Sequence, residues 1–294
     1  MDKMYRPQLS QQGLSPTHAV NAINQFGEKK DVHVAGESPL TLKVNDREIV
    51  TLMTLGTHPE ELALGYLRNQ RLLDEISDIE AVNVNWDKEL VDVTLTAGKE
   101  ITDWEEKLSK RTVTSGCGQG TVFSCTLDKL YDAKLPKVSL KQSEIYALLA
   151  EITTYNDIYK KAGAVHGCAL CSQEMKNDSN ILKFVEDVGR HNAADAISGW
   201  MWLEHQLGGD KIFYTTGRLT SEMVMKSANM GIPVLLSRSG VTHMGLELAR
   251  DLGIVMIARA KGKAFLVYNG SEQIEFDATP KKPPTKSPTK SPTS

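Results

Sequence analysis

Three short apolar runs in the second half of the chain, KIFYTTG (211–217), IPVLLS (232–237) and GIVMIAR (253–259), are separated by two stretches of helical spacing at 220–230 and 242–252. Buried strands that alternate with helices need crossover connections, and crossovers set the strands parallel in a helix-covered sheet. Upstream, AVHGCAL and ILKFVED add two strands around a turn at Asn177-Asp178, and HNAADAISGWMWLEHQLG reads as a helix. KQSEIYALLAEITTYNDIYKKAG is a further helix, with Ile145, Leu148, Leu149, Ile152 and Tyr155 at helical spacing and Gly163 as its stop.

The first half has a different character. Two alternating runs in LTLKVNDREIVTLMTL flank Asn45-Asp46, the signature of a hairpin. In GTHPEELALGYLRNQRLL, Thr57 and Glu60 have capping-box spacing, Pro59 suits a first helical turn, and Leu62, Leu64, Tyr66 and Leu67 follow. EAVNVNW and ELVDVTLT form a second strand pair around Asp87-Lys88, so this part is an α+β unit with antiparallel pairing. The expected division is a loose, polar arm over 1–35, a small α+β domain over 36–135 and an α/β domain over 136–277. A Pro/Thr/Lys-rich tail over 278–294 cannot bury a core and is expected to be disordered.

The chain has 294 residues, 40% of them hydrophobic and 24% charged, and a net charge of −3, which gives no general attraction to nucleic acid or membranes. No apolar run approaches the ~20 residues of a membrane span. MDKMYRPQLSQQGLSP lacks the basic segment and apolar core of an export signal. A cytoplasmic protein with reduced cysteines is expected.

The chemistry-bearing residues fall into four groups. Cys117 lies in RTVTSGCGQGT among Gly116, Gly118 and Gly120, a composition that predicts a pliable loop. Backbone N–H groups there favour a thiolate. His166, Cys168 and Cys171 in AVHGCALCSQEM admit three uses: a metal site completed by Cys117, Cys125 or His191; a redox pair; or small side chains packed on a sheet. In VEDVGRHNAADAI a strand ends at Glu186-Asp187, turns at Gly189 and opens a helix at Arg190-His191-Asn192. There Arg190 and the helix N-terminus attract phosphate, and either carboxylate accepts from a guanine or ribose. FYTTGRLTSEMV repeats the pattern with Gly217 and Arg218, and ARAKGKAFLVY adds Arg259, Lys261 and Lys263. Together these strand ends predict a basic pocket for a phosphate-rich ligand.

EELALGYL, the Cys117 loop, VEDVGRHNAADAI, TTGRLTSEMV, KSANMGIPVL and ARAKGKAFLVY, in this order, resemble the FdhD-type formate dehydrogenase accessory sulfurtransferases of the FdhD/NarQ family. The resemblance implies a C-terminal domain of cytidine-deaminase-like α/β fold, a homodimer, and a sulfur carrier. Such a carrier takes persulfide sulfur from a cysteine desulfurase and passes it to molybdenum bis(molybdopterin guanine dinucleotide) for formate dehydrogenase. It makes Cys117 the persulfide residue and Arg259, Ala260, Lys261, Gly262, Lys263 and Ala264 a cofactor-binding stretch, alongside Asp187, Gly189, Arg190, His191, Asn192, Gly217 and Arg218; no structural metal is expected. The chain departs from the family's S-C-G-x-C-G loop in having Gly120 at the second cysteine position. Cys125, Cys168 and Cys171 are then the candidate auxiliary thiols. Two further readings are a non-catalytic cofactor-insertion chaperone and a zinc-dependent deaminase-like enzyme. The last lacks the acid/base glutamate of an H-x-E motif, because Gly167 and Cys168 follow His166.

Overall fold

The structure, a computed structural model, describes residues 4–101, 135–176 and 179–280. Cys117, Cys125 and the C-terminal tail beyond 280 lie outside the described residues. The N-terminal unit is a five-stranded sheet in the order β1-β6-β7-β4-β5, built from β1 (Gln8–Leu9), β4 (Ser38–Val44), β5 (Arg47–Thr54), β6 (Ile79–Asn85) and β7 (Leu90–Leu95). The two expected hairpins are present, Leu42 facing Val50 and Val82 facing Val93. The pairing is mixed rather than wholly antiparallel, because β4 runs parallel to β7 and β1 parallel to β6.

Residues 8–35, expected as a loose arm, instead supply the edge strand β1 and an antiparallel ribbon of β2 (Thr17–Ile23) and β3 (Lys29–Ala35). The ribbon left no apolar signal because almost all of its side chains stay at the surface. Its turn is built by Asn24, whose side-chain oxygen accepts from the N–H groups of Phe26 (2.9 Å) and Glu28 (3.0 Å).

α1 (Pro59–Asn69) forms where Pro59 and three leucines predict it, but its start is not the expected capping box: the N-cap is His58. Glu60 is drawn into a tertiary contact, accepting from Ser10 Oγ (2.8 Å) and the Gln12 N–H (3.0 Å). After a two-residue strand, β8 (Leu140–Lys141), the helix expected after residue 140 splits into α2 (Gln142–Ile152) and α3 (Asp157–Ala162). Thr153 and Thr154 turn their hydroxyls back onto the carbonyls of Ala150 and Glu151. Glu186 restarts the chain as α3 by accepting from the N–H groups of Ile158 (2.9 Å) and Tyr159 (3.0 Å).

The C-terminal unit is a six-stranded sheet in the order β10-β9-β11-β12-β13-β14. β11 (Lys211–Thr215), β12 (Val234–Ser237) and β13 (Val255–Lys261) are parallel, as expected, with α5 (Ser221–Asn229) and α6 (His243–Asp251) as the crossovers. β9 (His166–Lys176) is antiparallel to both β10 (Ser179–Asp187) and β11, and β14 (Ala264–Asn269) is antiparallel to β13. The result is a mixed α/β sheet.

One face of this sheet packs on α2 through Ile145, Leu148 and Ile152, all fully buried. The other face belongs to a core that runs into the N-terminal unit through α1 and α4 (Arg190–Leu203). The two helices cross at Gly65 and Gly199. A Cβ on Gly65 would lie 1.6 Å from the Asp195 carbonyl oxygen, and one on Gly199 would lie 1.9 Å from that of Glu61. Backbone meets backbone here, so only glycine fits at either position. Around the crossing, Asn69 Nδ2 donates to Asp195 (2.7 Å), Arg68 to the Ser198 carbonyl (3.0 Å) and Arg71 in a fork to Asn229. The EELALGYL motif is therefore the seam between the two halves.

Candidate functional site: a cationic strand edge

β10, β11, β12 and β13 all end at one edge of the large sheet, and β9 begins there. The loops leaving this edge are held by buried hydroxyls. Thr215, at the end of β11, accepts from the Gly217 N–H (3.0 Å), and Ser237, at the end of β12, donates to the Gly217 carbonyl (2.7 Å) and accepts from Ser239 N–H (2.9 Å). Thr216 accepts from the Gly167 N–H (3.0 Å), tying the start of β9 to the same loop. A Cβ on Gly217 would sit 2.6 Å from Arg190 Cδ, so Gly217 is the gap through which the Arg190 stem passes.

His166 stands beside Arg190 and Arg218. Burial, and then the two guanidinium charges, hold its imidazole below the usual range, so it is neutral near pH 7. Next along the edge, Arg238 and Lys261 rim a cleft of about 250 Å³ with Tyr159, Lys160, Tyr214 and Gly262. Burial raises the Tyr214 phenol to about 12, keeping it a hydrogen-bond donor. Arg259 has a left-handed backbone, φ 51°, at a bulge where the β13–β14 register slips between Ala258 and Lys261. Bulges of this kind re-aim side chains beside binding sites.

The residues expected to share one basic pocket are thus divided between two clefts with no lining residue in common. Ala260, Lys261 and Gly262 line the one just described, whereas Gly189, His191 and Asn192 line a second, of about 310 Å³, where α4 meets β5. Gly217 and Arg218 line neither cleft: Gly217 packs against Arg190, and Arg218 stands near His166. Lys263 and Ala264 are exposed at the β13–β14 turn. Arg238, Lys160 and Lys226 were missed in the sequence, though LLSRSG has the same strand-then-arginine form as YTTGR.

The two carboxylates offered for a guanine or ribose are engaged elsewhere in the fold. Asp187 accepts from Thr54 Oγ1 (2.6 Å) and the Leu55 N–H (2.9 Å) on one oxygen, and from the Gly189 N–H and Asn192 Nδ2 (both 2.9 Å) on the other. It is a strut between the end of β10 and the end of β5. Glu186 holds the start of α3, as described above.

The two described cysteines do not form a site. Strand residues three apart point to opposite faces, so Cys168 packs in the core shared with α1 and α4 while Cys171 packs in the α2 core, both with no exposure. The Cys168 thiol donates to Thr215 Oγ1 (3.3 Å), and burial pushes it up to about 12; burial pushes Cys171 higher still. Both are inert thiols rather than auxiliaries for sulfur transfer. His166 and Cys168 share one face and Cys171 takes the other. Among the described residues no three His, Cys, Asp or Glu side chains are grouped to hold a metal.

A sequence profile of the FdhD/NarQ family matches residues 35–275. The chain belongs to the FdhD/NarQ family. Among its relatives, the sulfur carrier protein FdhD of Geobacillus kaustophilus is 31% identical over 252 residues, covering 85% of this chain and 92% of that protein. The FdhD of Bacillus licheniformis is 29% identical over 253 residues, covering 84% and 92%. A solved structure from Desulfotalea psychrophila, assigned as a formate dehydrogenase accessory protein, superposes with a TM-score of 0.69 at 28% identity, covering 88% of this chain and 98% of that one. The stretch matched in this FdhD/NarQ member takes in the helix seam, the whole cationic edge and all of the N-terminal sheet except the edge strand β1. No helix among its described residues is long and apolar enough to cross a membrane.

Proposed function

We propose that this FdhD/NarQ member is a sulfur carrier for formate dehydrogenase. Cys117 takes the sulfur and the cationic strand edge holds the acceptor, molybdenum bis(molybdopterin guanine dinucleotide), as substrate. In the loading step the Cys117 thiolate attacks the outer sulfur of a cysteine desulfurase's persulfide. A new S–S bond forms on Cys117, the donor's S–S bond breaks, and the donor leaves as a thiolate. In the delivery step a thiol reductant attacks the inner sulfur of the Cys117 persulfide: the S–S bond of the persulfide breaks, a disulfide forms between that thiol and Cys117, and the outer sulfur leaves at the sulfide level for the cofactor.

The observation that carries this reading is the set of cations Arg190, Arg218, Arg238 and Lys261, at or just past the ends of β10, β11, β12 and β13, strands of one sheet. A ligand with two pyrophosphates needs several fixed cations close together, and a sheet edge supplies them without flexible linkers. The burial of Cys168 and Cys171 supports Cys117 further. Of the four cysteines in the sequence, those two are sealed in opposite cores, leaving Cys117 and Cys125 for sulfur chemistry.

The cytidine-deaminase-like description of the α/β unit belongs to the same reading, supported by a mixed sheet in which β9 runs against β10 and β11 beside the parallel β11, β12 and β13. So do the homodimer, the cytoplasmic location and the docking of a desulfurase and of the formate dehydrogenase catalytic subunit. Gly120, in place of a second loop cysteine, favours a second reading, a chaperone that binds the cofactor without carrying sulfur.

Incubation with a cysteine desulfurase and cysteine, followed by mass analysis, separates the two. The carrier gains one sulfur on Cys117, and the Cys117→Ala protein gains none. Equal labelling of both proteins removes Cys117 from the account. GDP is expected to raise the melting temperature, since a ligand bound only by the folded state stabilises it by about 2.7 kcal/mol at a hundred times its Kd.

A further inference from the structure

The cleft rimmed by Arg238 and Lys261 has a second wall that does not come from the strand ends. Asn156, Tyr159 and Lys160, from the turn before α3 and from α3 itself, line it together with the Tyr214 phenol of the sheet. Lys160 reaches the Thr154 carbonyl (3.3 Å) and stands 3.5 Å from Asp157, so its place depends on that turn and on α3.

α3 has little of its own to hold it there. Isolated helices shorter than about 12–15 residues are marginal in water, and α3 has six residues with no side chain buried. β3 runs beside it, but β3 keeps almost all of its side chains at the surface, so the contact buries little apolar area. The chain leaves α3 through Gly163 and Ala164, two residues in succession with positive φ, 63° and 55°. The start of α3 is fixed from another strand. Glu186, 6% exposed and opposite Gly167 in the β9–β10 ladder, accepts from the Ile158 N–H on Oε2 (2.9 Å) and from the Tyr159 N–H on Oε1 (3.0 Å). A helix start leaves such donors without an intrahelical partner, and a carboxylate binds them strongly. Both oxygens of Glu186 are spent on α3, so the carboxylate acts on the cleft through that helix.

We propose that Glu186 is a positioning residue for the cationic cleft: it latches α3 to the end of β10 and so sets Tyr159 and Lys160 as the second wall of the anion site. This role rests on the proposed use of the cleft for pyrophosphate groups and adds the residue that assembles the site. Arg238 and Lys261 act from the strand ends, and Lys160 adds a cation from α3. Without the latch the strand-end cations hold the anion alone.

Inorganic pyrophosphate, which carries neither base nor pterin, is titrated calorimetrically against the full chain. Glu186→Ala weakens its binding about tenfold, and Lys160→Gln with Tyr159→Phe does the same, as expected for the loss of charge-assisted contacts. All three changes in one protein lose no more than about twofold beyond the larger single effect, because they act through one wall. Damage spread through the fold would instead multiply the losses. Glu186→Gln keeps the side-chain shape and one acceptor; its affinity falls between parent and alanine, and it carries the test where the alanine variant does not fold. Hydrogen exchange reads the latch itself: the Ile158 and Tyr159 amides exchange about tenfold faster in Glu186→Ala, with those of β11, β12 and β13 unchanged. The proposal is overturned if the Glu186 variants bind like the parent, if the losses multiply, or if the two amides keep their protection. Binding that Arg238→Gln with Lys261→Gln weakens and Glu186→Ala does not leaves the cleft and removes the latch. No pyrophosphate binding to the parent removes both.

Discussion

Replacing Gly65 by alanine tests the seam on which the site depends. The added Cβ would stand 1.6 Å from the Asp195 carbonyl oxygen, where an ordinary contact is 3.4–4 Å, so α1 and α4 must part by roughly 2 Å. The obstacle is helix backbone, which has no rotamer to adopt. Parting the helices also stretches the Asn69–Asp195 and Arg68–Ser198 hydrogen bonds. Overpacking costs about 1–3 kcal/mol where side chains can yield; here the expected loss is at or above the upper end, about 3 kcal/mol. In a chain this long that lowers the melting temperature by roughly 6–12 °C. Urea unfolding gives the free energy directly, with Gly240→Ala as the control, since a Cβ at Gly240 meets nothing within 4 Å. That control stays within about 0.5 kcal/mol of the parent. A Gly65→Ala protein within about 1 kcal/mol of the parent would refute the close crossing and the rigid seam with it.

Three further outcomes follow from the burial or exposure of particular groups. His191 is held neutral by burial, Lys226 and Arg190, with its imidazole lowered to about 2 from an ordinary 6.5, despite Glu222 at 3.2 Å. The folded value lies below the unfolded one, so this stability is present above pH 6.5 and drains away on acidification. Urea titrations at pH 7 and pH 5 should differ by about 2 kcal/mol from this residue, and His191→Leu should remove that part of the difference; an unchanged difference contradicts it. In a Cys117→Ala/Cys125→Ala protein, Ellman's reagent should find no reactive thiol in the native state and two after denaturation, because Cys168 and Cys171 are sealed; native reactivity of either would show them accessible. Arg238→Gln with Lys261→Gln should weaken GDP binding at least tenfold and flatten its salt dependence, leaving the fold intact because both side chains are exposed; unchanged affinity in calorimetry moves the phosphates elsewhere.

The strands and helices of the α/β unit were legible because each carries its own period, and the end of each parallel strand could be located to within a residue or two. What the sequence concealed is non-local. Gly65 and Gly199 are ordinary helix-interior glycines until the partner backbone is in place. Glu60 has capping spacing, but Ser10 and Gln12, some fifty residues earlier, claim it. Asp187 reads as a ligand-facing carboxylate at a strand end, yet Thr54 and Leu55 from the other unit consume it. The Cys168/Cys171 pair illustrates the reverse. A C-x-x-C motif invites a chemical reading, but placing it on a strand already sends the two sulfurs to opposite faces.

The central claim is that sulfur travels on Cys117. The most direct measurement is the mass of the intact protein, and of its Cys117 peptide, after exposure to a cysteine desulfurase with isotopically labelled cysteine. The account predicts a single added sulfur, lost on reduction, on the peptide that contains Cys117 and absent from the Cys117→Ala protein. Labelled sulfur on Cys125 with Cys117 unmodified, or an unmodified protein under conditions that load the Geobacillus kaustophilus relative, would contradict it.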